Sequence, residues 1–180
     1  MKNLAIRGAI LALFGALTIG LGHLLGLDLD QVALLGVALG GVIGLVPDRS
    51  QTERIVGFLA GFALAWIGFA VRAAVLPDTS LARAMVVFLL ILAAMGISLA
   101  SSSRLPLWSL LVGAAAMVGA YEQTYADSPT LFVTESPTAA TTVLLAAAMG
   151  VLGTMLLGEE ISARRETERD ESRHATEVSA

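Results

Sequence analysis

The sequence predicts an all-α membrane protein of six transmembrane helices, arranged as three antiparallel hairpins. Three observations predict it. Residues of apolar type make up 56% of the 180-residue chain before glycine is counted, above the roughly 45–50% usual for soluble domains. They come in continuous blocks rather than alternating with charge. Short breaks containing Pro, Ser, Asp or Arg separate the blocks. At about 1.5 Å per residue, a block of about 20 residues spans the roughly 30 Å hydrocarbon core of a bilayer. An unpaired backbone group there costs several kcal/mol, so each block is expected to be helical.

The expected spans are 8–27, 31–46, 55–76, 84–100, 105–121 and 138–158. The first follows the short basic segment Met1–Arg7; no A-x-A cleavage site follows it, so it reads as a retained helix rather than a signal peptide. Asp28–Asp30 forms a turn, with Asp30 the expected N-cap of the short second span, and Pro47 ends that span. Ser50-Gln51-Thr52-Glu53 matches a capping box and starts the third helix.

The hairpin Ile55–Ala100 is the centre of the pattern. Pro77 stops its first helix, and Asp78, Thr79 or Ser80 caps its second. Pro106 suits the first turn of helix five, and Trp108 the place of an interfacial anchor. Two tetrads follow, Asp127-Ser128-Pro129-Thr130 and Glu135-Ser136-Pro137-Thr138. Each can start a helix; the second is expected to start helix six and the first only a short turn. Residues 159–180, dense in both charge signs, read as a cytoplasmic tail, helical at first and then disordered.

Charge sets the expected orientation. Lys2, Arg7, Arg49, Arg54, Arg104, Arg164, Arg165, Arg169 and Arg173 fall on one side; Arg72 and Arg83 fall on the other. Positive charge marks the cytoplasmic side, which places both termini there, in the plasma membrane of a prokaryote. Arginine far outnumbers lysine, a compositional hint of a GC-rich prokaryotic source.

Small residues recur at every fourth position. Gly36, Gly40 and Gly44 do so in helix two, Gly57, Gly61 and Ala65 in helix three, and Ala146, Gly150, Thr154 and Gly158 in helix six. Such faces let backbones approach closely, the main source of cohesion between helices in lipid. Leu92–Gly96 resembles Ala146–Gly150, and the odd helices share glycine spacings, a pattern compatible with a threefold hairpin repeat.

Ionisable groups inside spans are few: His23, Arg72 and Glu122, with Tyr121 beside the last. Alternate crossing puts all four in the outer half of the membrane, either as interfacial anchors or as a polar cluster built on an Arg72–Glu122 ion pair. Catalysis finds no support. The chain has no cysteine, no hydrolase, zinc-protease or nucleotide-binding motif, and no metal-ligand spacing. No catalytic residue, cofactor or nucleic-acid partner is expected. The expected partners are the lipid bilayer, other membrane subunits or a second copy of the chain. The expected function is a non-catalytic scaffold or accessory subunit. The alternative is a small channel or transporter for an ion or small neutral solute, with Thr18, Ser98, Thr142 and Thr154 as its mid-membrane lining.

Overall fold

The computed structural model describes the backbone of residues 2–26, 29–30, 32–76 and 79–178, and side chains within 8–156. The described residues are helical and contain no strand. Six α-helices follow in order: α1 (Lys2–Leu25), α2 (Ala33–Leu45), α3 (Gln51–Val75), α4 (Ser80–Ala100), α5 (Leu107–Asp127) and α6 (Phe132–Val178), with a 3-10 turn at Pro129–Leu131. Among the described residues, three stretches are long and apolar enough to cross a membrane: Gln51–Val75, Ser80–Ala100 and Pro129–Leu156. Gly8–Gly22 and Ala33–Leu45 are shorter apolar helical stretches.

Local chemistry explains most helix ends. Ser50 Oγ accepts from the Glu53 amide, and the Glu53 carboxylate accepts from the Ser50 amide, a closed capping box at the start of α3. Thr79 Oγ1 accepts from the Ala82 amide and caps α4. Pro77 and Asp78 lie outside the described residues. Asp30, the expected cap of α2, is exposed and does not cap it. Residue 32 occupies that position, and the entry is closed by backbone bonds from Val32 and Ala33 to the Leu29 carbonyl. The α4–α5 turn closes when the Ser103 amide reaches the Ser98 carbonyl at 2.8 Å, with Ser102 and Ser103 at φ 52° and 60°.

Helix six starts at Phe132, not at 138. The first Ser-Pro tetrad, not the second, therefore leads into it, and Pro137 lies inside the helix. A proline this close to the start removes only one early backbone bond, that to the Val133 carbonyl. Ser136, thus freed from a capping role, is buried and accepts a hydrogen bond from Trp66 Nε1 at 3.0 Å. The helix continues unbroken as backbone to Val178; the side chains of the charged tail lie outside the described residues.

The helices do not pack mainly as chain-adjacent hairpins. The two most extensive contacts are α2 with α6 and α3 with α5; α1–α2, α3–α4 and α5–α6 touch less. Within each main pair the helices run in the same direction. Gly36 and Gly40 lie against Ala146 and Ala147, and Gly44 against Thr154. Gly57 lies against Ser109, and Gly113 against the Phe58 carbonyl. A Cβ at Gly40 would overlap the Ala147 carbonyl, at Gly61 the Leu110 carbonyl, and at Gly150 the Val37 carbonyl. These contacts are backbone to backbone, and only a residue without a side chain permits them. Glycine faces thus select partners more strongly than chain adjacency does. The glycines matched in the repeat pattern are not equivalent: Gly150 is buried against α2, whereas a Cβ at Gly96 would meet nothing.

The core runs along the seam of α3, α5 and α6, from Phe58, Phe62 and Phe69 to Met117, Tyr121 and Val143. Helix α1 rests on α6 and α2. Helix α4 is peripheral, packed on α3 and α5, with Met85, Phe88 and Leu99 facing outward.

Candidate functional site: two buried arginines

Two arginines are buried on one stripe of α3. Arg54 and Arg72 are each 7% exposed. Their separation, 72 − 54 = 18 residues, is about five turns at 3.6 residues per turn, so both project from one face. Phe58, Gly61, Ala65 and Phe69 fill that face between them.

Arg72 occupies one end. Its Nη1 donates to Glu122 Oε2 of α5 at 2.8 Å, an ion pair between the two parallel helices. Its guanidinium lies over the Tyr125 ring, 4.4 Å from the centroid, and 5.4 Å from that of Phe69. The faces of the two rings carry negative potential and add to the carboxylate. Tyr121 is fully buried, with its ring edge-on to Phe69 at 5.3 Å. Neighbours on a helix point about 100° apart, so Tyr121 turns inward toward Phe69 and Phe132 while Glu122 reaches Arg72. The Tyr121 hydroxyl is buried without a hydrogen-bond partner among the described residues. An orphaned hydroxyl costs roughly 1–3 kcal/mol. Of the four residues expected here, Arg72, Tyr121 and Glu122 come together; the side chain of His23 lies outside the described residues.

Arg54 occupies the other end. Its Nη1 donates to the carbonyls of Ile43 at 2.6 Å, Gly44 at 3.2 Å and Val46. These are carbonyls of the last turn of α2, which no helical amide can reach. Arg54 therefore caps α2 from outside, with its positive charge at the negative end of that helix. Beside it Trp108 Nε1 donates to Asp48 Oδ2 at 2.5 Å, joining the start of α5 to the α2–α3 turn. Sequence reading counts Arg54 only as a cytoplasmic loop charge and misses its burial. The signal was available: its five-turn spacing from Arg72 puts it on the glycine-bearing face.

The four hydroxyls expected as a pore lining are buried, and each donates to a nearby carbonyl. Thr18 donates to Phe14 at 2.7 Å, Ser98 to Leu105 at 2.9 Å, Thr142 to Thr138 at 3.0 Å and Thr154 to Val151 at 2.6 Å. Among the described residues no three His, Cys, Asp or Glu side chains come together as a metal site would need. No family model, curated protein or solved structure matches this chain.

Proposed function

We propose that the protein is a six-span integral membrane protein, with both termini cytoplasmic, that serves as a non-catalytic scaffold or accessory subunit of a membrane assembly. The observation that carries this reading is how its mid-chain hydroxyls are used. Thr18, Ser98, Thr142 and Thr154 all donate to carbonyls close in sequence. A hydroxyl so engaged offers a passing solute only its weaker acceptor side. The interior is meanwhile closed by glycine-mediated backbone contact, and α4 presents Met85, Phe88 and Leu99 outward. An inside built for packing and an outside left apolar suit a part that docks to other membrane-embedded surfaces.

A second reading, a small channel or transporter, draws on the Arg72–Glu122 pair and the orphaned Tyr121 hydroxyl. Ionisable groups inside spans mark solute pathways by default. Purification in mild detergent followed by reconstitution separates the two. Stoichiometric membrane partners, with no solute flux from the protein alone, are expected; flux from pure protein would replace the first reading by the second.

A further inference from the structure

A groove of about 400 Å³ lies between α2, α3 and α6, lined by Gly40, Ile43, Ile55, Leu59, Ala148 and Leu152 among others. Its lining is apolar throughout. Arg54 adjoins two of its lining residues without lining it: Ile55 is its chain neighbour, and the Ile43 carbonyl accepts its hydrogen bond. Arg54 Nε is buried and has no hydrogen-bond partner among the described residues. The described residues place no carboxylate in ion-pair contact with Arg54, so carbonyl dipoles alone face its charge. The nearby carboxylates are engaged elsewhere, Asp48 with Trp108 and Glu53 with Ser50. Exposed Arg49, in the adjoining turn, adds a second positive charge.

We infer that this groove and Arg54 form a binding site for one anionic membrane phospholipid. The acyl chain lies in the groove, and the phosphate accepts from the Arg54 guanidinium with Arg49 nearby. The charge argues for a phosphate, which accepts strong, charge-assisted hydrogen bonds from guanidinium. The slot argues for a lipid over free phosphate, because only a lipid also fills an apolar groove. The site rests on the membrane-spanning reading proposed above.

Native mass spectrometry of the purified, delipidated full chain tests it. The probes are phosphatidylglycerol and phosphatidylcholine with identical acyl chains. One phosphatidylglycerol is expected to bind about tenfold more tightly than phosphatidylcholine: both carry the phosphate, but the choline cation of the second is repelled by Arg54 and Arg49. Ala148→Phe fills the exposed side of the groove away from the glycine contacts; it is expected to weaken both lipids with the melting temperature unchanged. Arg54→Gln is expected to abolish the headgroup preference. Equal binding of the two lipids by the parent, or unaltered binding by Ala148→Phe, overturns the site. So does thermal protection by inorganic phosphate equal to that by phosphatidylglycerol, which would assign the anion site to free phosphate. Sedimentation of a detergent-free lysate tests the membrane reading separately. Protein in the membrane pellet without lipid preference removes this site alone, and protein in the supernatant removes the membrane reading and the site with it.

Discussion

Arg54 and Arg72 are equally buried on one face of one helix, yet their charges are met in different ways. Arg72 faces a full opposite charge and the Tyr125 ring on α5, with the Phe69 ring of its own helix beside it. Arg54 faces backbone carbonyls at the end of α2. Glu122 is itself 38% exposed, so solvent screens the Arg72 pair and its net contribution is modest. The carbonyls around Arg54 belong to a helix end that has no other described donor, so removing Arg54 orphans several groups at once. The ion pair is the more conspicuous motif, but the cap is expected to contribute more to stability.

Breaking the scaffold beneath the arginines gives the largest effect. Gly61→Leu drives a side chain into the Leu110 carbonyl and must part α3 from α5. A loss above about 4 kcal/mol is expected, seen as a collapse of the melting temperature in detergent. Gly40→Leu, against the Ala147 carbonyl, should part α2 from α6 with a similar loss. A parental melting temperature in either variant would show that the glycine contacts do not hold the pairs together.

Truncating the arginines sharpens the contrast itself. Arg54→Met is expected to cost about 3 kcal/mol, because the end of α2 loses its donor. Arg72→Ala is expected to cost about 1–2 kcal/mol after screening by solvent. If chemical denaturation ranks them the other way, the comparison drawn here is wrong. Glu122→Ala should match Arg72→Ala, and the double variant should be no worse than either single one. Additive losses would show the two side chains acting independently.

The smallest effect touches neither arginine. Ser102 holds a left-handed backbone at φ 52° in the turn between α4 and α5. Glycine adopts that conformation without steric cost, so Ser102→Gly should stabilise by up to about 1 kcal/mol. A drop in melting temperature would mean that the serine side chain contributes more than its backbone strain costs.

The helical segments, the Ser50–Glu53 box, an α4 cap at Asp78, Thr79 or Ser80, and the small-residue faces were legible in sequence. Each depends on residues three or four apart, and helical geometry makes those neighbours in any environment. Arg72, Tyr121 and Glu122 could be named as polar residues within apolar blocks. Which helix lay beside which was legible only where charge marked it, in the Arg72–Glu122 pair that joins α3 to α5; the expected chain-adjacent hairpins are not the main packing. Gly40 meets Ala147 and Gly61 meets Leu110 because two remote surfaces fit, and neither surface carries a mark of its partner. The tertiary structure decided the rest by the same means. It paired α2 with α6 and α3 with α5, moved Ser136 from a helix start to a partner of Trp66, and turned Arg54 from a loop charge into the cap of α2. Local hydrogen bonding fixes the elements, and close packing between distant segments selects their neighbours.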